Sequence, residues 1–297
     1  MRRGSRSILV FCGIVILCSV PFFAEAQEAK RAIRVEKGIV FGKGGTTELQ
    51  LDLAMPQDGE GRFPAIVCIH AGGWVAGNRQ HMKETIEVFA RRGYVAISPD
   101  YRVAPHDRFP AQIHDCKAAV RWLRANAQKY HINPDRIGAF GASAGGHLAC
   151  LLGVTSKEDG LEGDGGNAEQ SSAVQAVVSF FGPTDLSRDD WSEEVRENNL
   201  IPLLGGTPKA KGELYRKASP LTYAGKNSPP FLFVHGTEDD IIPIEQSRAL
   251  AEKLQQAGVS VRLVPMEGAG NGRDWRGEHR RESIARMLRF FDETLKK

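Results

Sequence analysis

The chain has 297 residues, of which 41% are hydrophobic and 25% charged, and its formal charge is +3. This is the composition of an ordinary globular protein, long enough to bury a large core without metal or disulfide staples. No Lys/Arg stripe or basic tail accompanies the small charge, which excludes the electrostatic footprint of a nucleic-acid-binding protein.

At the start of the chain, Arg2, Arg3 and Arg6 precede an apolar run over 8–23, and Ala24-Glu25-Ala26 follows. A basic end, a short apolar stretch and an A-x-A site predict a signal peptide over 1–26, cleaved after Ala26. The run is near the lower length limit for a membrane span and contains Pro21, which argues against an uncleaved anchor. The expectation is a secreted or periplasmic protein with no stable membrane insertion after cleavage. Cys68, Cys116 and Cys150 then remain, each inside an apolar segment. An odd number cannot all pair within the chain, so buried free thiols are expected.

Strand and helix patterns alternate along the rest. Residues 33–41 and 48–53 alternate apolar and polar positions across Gly44-Gly45, which predicts an antiparallel pair. Short continuous apolar runs follow at 65–69, 94–98, 136–140, 174–180, 231–234 and 261–264, as expected of strands buried on both faces. Helical stretches lie between them, at about 79–92, 111–130, 144–153, 244–257 and 279–295. In the second of these, Ile113, Cys116, Ala119, Val120 and Leu123 fall at helical spacing. Such alternation predicts an α/β protein with a mostly parallel sheet covered by helices on both faces. Residues 156–172 are acidic and rich in Gly and Ser, and read as a surface loop. Residues 183–228, with Pro183, Pro202, Pro208 and Pro220 and no strand pattern, read as a small insertion over the sheet edge. With no repeat and no long linker, 27–297 is expected to form a single domain.

Three segments carry residue types suited to chemistry. His70-Ala71-Gly72-Gly73-Trp74 closes an early strand. Paired glycines leave backbone N–H groups open to an approaching oxyanion, which makes Gly72 and Gly73 candidate donors. Gly141-Ala142-Ser143-Ala144-Gly145 joins a strand directly to a helix. A serine on so sharp a turn lifts its hydroxyl above the sheet, and the helix start behind it offers the Ala144 N–H as a further donor. After the apolar run 231–234 comes His235-Gly236-Thr237-Glu238-Asp239-Asp240, ending at Pro243. An acid at the end of a late strand suits the orienting member of a Ser…Asp…His set, and both Asp239 and Asp240 qualify. No His, Cys, Asp and Glu set shows metal-ligand spacing, so neither a metal nor another cofactor is expected.

The elements Gly-x-Ser143-Ala-Gly-Gly-His147, His70-x-Gly-Gly-Trp74, Asp100-Tyr101-Arg102 and His235-Gly-x-x-Asp239-x-x-x-Pro243 resemble those of α/β-hydrolase-fold carboxylesterases. The group they resemble most is the lipase/esterase group related to bacterial feruloyl and acetyl-xylan esterases, over about residues 36–295. The resemblance implies an α/β-hydrolase fold and a small-molecule or carbohydrate ester as substrate. It also implies Ser143 as nucleophile, Asp239 as acid, and Gly72, Gly73 and Ala144 as oxyanion hole. In that group a histidine follows the last strand in a Gly-His-Gly turn.

Here that stretch reads Glu267-Gly268-Ala269-Gly270-Asn271-Gly272, with Asn271 at the histidine's position. An imidazole takes a proton from serine and returns it to the leaving group, because its pKa lies near working pH. An amide cannot hold that proton. In a serine protease, removing the histidine of such a set costs about 10⁶ in turnover. His279 is the only histidine downstream and could substitute only by folding back; His147, one turn beyond Ser143, reads as structural. Two function classes follow: a carboxylesterase with a slow or substituted base, or a non-catalytic descendant that keeps the pocket for binding.

Overall fold

The computed structural model of the chain describes residues 31–59, 61–272 and 275–296; the signal peptide expected over 1–26 lies outside the described residues. Eight strands form one sheet: β1 (Ile33–Gly44), β2 (Thr47–Pro56), β3 (Phe63–Ile69), β4 (Val95–Pro99), β5 (Ile132–Ala142), β6 (Ala176–Phe180), β7 (Phe231–Gly236) and β8 (Val261–Met266). Their spatial order is β1-β2-β4-β3-β5-β6-β7-β8. β1 pairs antiparallel with β2, and β2 with β4; every other pairing is parallel. Each expected apolar run falls on a strand to within two residues, and the continuous ones are buried on both faces except 261–264, which is the half-exposed edge strand β8.

Side-chain alternation divides those strands between two apolar layers. Ala65 and Val67 of β3 face the layer filled by α2 (Ala111–Ala125), α3 (Ala144–Val154) and α4 (Glu245–Gln256). Ile66 and Cys68 face the layer filled by α1 (Lys83–Arg91) and α5 (Gly277–Leu295). Ile113, Cys116, Ala119, Val120 and Leu123 of α2 are all fully buried. Cys68, Cys116 and Cys150 are buried free thiols, as their apolar surroundings suggest.

Two segments differ from the reading of their composition. The 156–172 loop is tied to the protein rather than merely solvated, because Glu162 takes Lys117 Nζ at 2.6 Å and Arg121 Nη1 at 3.1 Å. Both cations are on α2 and buried, and a buried cation requires a paired carboxylate. The 183–228 segment is largely helical, with short helices at Ile201–Leu204, Pro208–Lys217 and Pro220–Tyr223. Its Leu200, Leu203, Leu204 and Tyr215 enter the core layer of α2 and α3, so it belongs to the packed body of the protein. Among the described residues no helix is long and apolar enough to cross a membrane.

Register brings the carboxyl ends of the central strands into one row. Ala142 of β5 lies beside Phe180 of β6, and Phe180 beside Val234 of β7. Residues immediately after these positions therefore crowd along one rim, where open parallel sheets hold their ligands.

Candidate active site

Ser143 stands between the last residue of β5 and the first of α3, with φ 54° and ψ −124°. A residue with a Cβ is held at positive φ only by surroundings that over-determine it, at a cost of about 1–3 kcal/mol. Those surroundings are visible. The Ser143 N–H donates to Phe180 O at 2.9 Å, and its carbonyl accepts from His147 N at 3.0 Å. The flanking glycines permit very close backbone passage. A methyl group on Gly141 would lie 2.2 Å from Gly145 O, and one on Gly145 would lie 2.2 Å from Ile69 O.

The loop after β3 has its carbonyls tied off one by one. Ala71 O is 2.8 Å from His70 Nδ1, which must therefore carry the proton, since a carbonyl only accepts. Gly72 O accepts from Val75 N and Ala76 N at 3.1 and 3.0 Å. In a trans peptide the C=O and N–H point in opposite directions. The Gly72 and Gly73 N–H groups thus face away from these bonds, and among the described residues neither has a protein acceptor. The Ala144 N–H, at the first position of α3, likewise lacks an intrahelical partner. These are the donors an oxyanion requires.

Tyr101 supports this loop from below. Its ring stacks on His70 at 4.0 Å, and its hydroxyl donates to His70 O at 3.1 Å. Burial, partly offset by the bond to Ala71, lowers the His70 pKa to about 4. Trp74 packs inward, donating from Nε1 to His147 Nδ1 at 3.1 Å. His147 Nε2 in turn donates to Ala218 O at 2.7 Å. The His147 ring is therefore neutral and structural, and burial lowers its pKa to about 4.

On the far side, Asp239 and not Asp240 turns inward. Its Oδ1 accepts from the Ile241 and Ile242 N–H groups at 3.0 and 2.9 Å, closing the loop after β7 on itself. His235 Nε2 lies 3.5 Å from Oδ2. Burial alone would raise the carboxyl's pKa, but the hydrogen bonds from His235, Ile242, Asn271 and Ile241 outweigh it and hold it below the usual range. Asn271, 5% exposed, donates from Nδ2 to both carboxylate oxygens at 3.2 and 3.0 Å. His279 stands in the first turn of α5, away from this arrangement.

A cavity of about 750 Å³ joins the parts. Gly72, Gly73, Ser143, Asn271 and the exposed Asp240 line it, while Asp239 lies behind Asn271. Phe181, Glu194, Val195, Asn199 and Ile241 line it too, and no motif marks them. Phe181 had one signal, its place just past a parallel strand. Its ring lies so near Gly272 that a methyl group there would be 2.0 Å from Cε1. Asn199 and Glu194 had none. Among the described residues no group of His, Cys, Asp or Glu is placed to hold a metal.

A family model, BD-FAE, matches residues 51–254, more than half of the chain. The chain belongs to the BD-FAE family. Its relatives include Esterase LipC of Mycobacterium tuberculosis, 35% identical over 71% of this chain and 53% of the relative. Esterase LipQ of the same organism is 30% identical over 75% of this chain and 53% of the relative. The BD-FAE chain thus spans about half the length of these curated relatives. Among solved structures, a truncated carbohydrate esterase from gut microbiota is similar at TM-score 0.73 and 28% identity, covering 90% of this chain and 98% of that one. An esterase of Thermogutta terrifontis is similar at TM-score 0.72 and 30% identity, covering 90% and 93%. The α/β-hydrolase fold expected from the motifs is the fold these esterases share with this BD-FAE member.

Proposed function

We propose that the chain is a carboxylic ester hydrolase of the serine type, acting on small or carbohydrate-linked esters and slowed by an amide where a general base would stand. One observation carries the reading: Ser143, strained at its elbow, shares a cavity with two backbone N–H groups that have no acceptor among the described residues. The esterases among its relatives and a carbohydrate esterase of the same fold support the substrate class. A volume of about 750 Å³ suits a small ester.

In this mechanism the Ser143 hydroxyl attacks the ester carbonyl, and the N–H groups of Gly72, Gly73 and Ala144 receive the negative oxygen. Asn271 takes the position of the histidine between Ser143 and Asp239. Asp239 orients that side chain, as it would orient an imidazole, but the amide cannot take up the serine proton. The proton must leave to water, and acylation is slow. A second reading, a pocket kept only for binding, is favoured by the same Asn271–Asp239 bond. Hydrolysis of a short-chain aryl ester by the purified protein, beside Ser143→Ala, separates the two. Turnover that Ser143→Ala abolishes supports the hydrolase; equal rates in both proteins sink it.

The arginines, apolar run and A-x-A site of residues 1–26 support export to the periplasm or medium. N-terminal sequencing of the exported protein should begin at Gln27, and an N-terminus at Met1 would contradict cleavage.

A further inference from the structure

One wall of the cavity, in contact with the glycine loop, comes from a helical run in which Arg196–Leu200 is a π-turn, between Glu193–Val195 and Ile201–Leu204. A π-turn accommodates an extra residue, gives poorer hydrogen-bond geometry, and survives mainly where its displaced side chain has a task. Asn199 lies in this turn. Its Nδ2 donates to Gly73 O at 3.3 Å and lies 2.1 Å from where a methyl group on Gly73 would be. The amide thus fills the space that a side chain at position 73 would occupy.

Gly73 needs an outside anchor. Its φ is 59°, and a glycine there has no side chain to hold it and many conformations to escape into. The peptide before it is held within the loop, because Gly72 O accepts from Val75 and Ala76. Among the described residues, the peptide after it is held only by Asn199, from a segment more than a hundred residues away in sequence. With the peptides before and after it both fixed, Gly73 cannot rotate, and its N–H keeps one direction.

We propose that Asn199 is a positioning residue, whose amide clamps the Gly73 carbonyl and so keeps the Gly73 N–H set to receive the oxyanion. The proposal rests on the ester-hydrolase reading. Removing an oxyanion donor outright costs about 10²–10³ in turnover, and loosening one costs less.

The test uses Asn199→Ala and Asn199→Asp, the second having the same shape but no side-chain N–H. Each is made in the wild-type chain and in Asn271→His. Turnover of a short-chain aryl ester should fall about tenfold in both variants, with KM within twofold and the urea midpoint unchanged. Full turnover in Asn199→Asp would assign the effect to bulk and overturn the proposal. So would a change in KM alone, which marks a substrate contact, or a loss that tracks a fall in the urea midpoint. Amide NMR signals of Gly72, Gly73 and Trp74 give a readout free of turnover. If neither parent hydrolyses the ester, the hydrolase reading falls, and these signals decide the clamp. Shifted or broadened signals in both variants support it, and unaltered signals overturn it.

Discussion

The two halves of the cavity are fixed by different physics. Around Ser143 the backbone itself is confined: a positive φ, glycines on which an added methyl group would lie 2.2 Å from a carbonyl oxygen, and an N–H bonded across to β6. Around Asp239 the fixing is done by hydrogen bonds that converge on one carboxylate, from two backbone N–H groups and an amide, with the His235 ring 3.5 Å away. Close packing admits almost no change of residue. Convergent hydrogen bonding admits any donor of the right reach. The chemistry of the site can therefore change at residue 271 while the elbow stays intact.

The largest expected effect tests that contrast directly. Asn271→His should raise turnover of an aryl ester by at least about 10², well below the roughly 10⁶ at stake in a whole triad. Adding Asp239→Asn should erase the gain, because the new ring would lose its orienting acceptor. If Asn271→His gains nothing and Ser143 does not react with a fluorophosphonate, the elbow half is incompetent too, and the contrast collapses.

A smaller effect sharpens the description of the elbow half through pH. His147 has a folded pKa of about 4, lowered by burial, against about 6.5 when unfolded. A lowered pKa contributes stability that is complete above 6.5 and is lost as pH falls toward 4, since only the unfolded chain takes up the proton. Protonation would also strip His147 Nδ1 of its role as acceptor for Trp74. Between pH 7 and 5 this ring should cost about 2 kcal/mol of folding stability. Urea unfolding of wild type and His147→Gln at both pH values measures it. The variant is expected to be less stable at pH 7 but to show the smaller fall. Parallel slopes in the two proteins would assign the acid loss elsewhere.

The smallest effects are expected at groups that take no part in the proposed chemistry. Asp240→Asn, at the exposed edge of the cavity, and His279→Ala, in the first turn of α5, should each leave kcat within about twofold of wild type, the scale of a surface substitution. Abolition of activity by His279→Ala would make that ring the substitute base and overturn the place given to Asn271.

The sheet was legible because its central strands are buried on both faces and so appear as unbroken apolar runs, such as Ala176–Phe180. The helix α2 was legible only in part. Ile113 and Val120 mark its core stripe, but nothing in the apolar spacing marks Lys117 and Arg121, which are buried against Glu162. Charge compensation from a distant loop leaves no local pattern. The same distinction holds in the cavity. Gly72, Ser143 and Asn271 stand in glycine-rich turns whose shape is encoded by neighbouring residues. Asn199 touches Gly73 through a fold that brings together chain segments 126 positions apart, and no motif marks it. Asp239 and Asp240 could not be separated by residue type alone. What separates them is the loop closure onto Ile241 and Ile242, which uses one carboxylate and leaves the other in solvent.

That loop closure has an evolutionary consequence. Because the Ile241 and Ile242 N–H groups satisfy Asp239 Oδ1 whatever residue stands at 271, the buried acid asks that position only for a donor to Oδ2, which an amide and an imidazole both supply. A lineage can exchange asparagine and histidine at this position by a single base change, in either direction, without first repairing a fold. On the proposed reading, a lost base is one substitution from return, and the rest of the site can be inherited intact meanwhile.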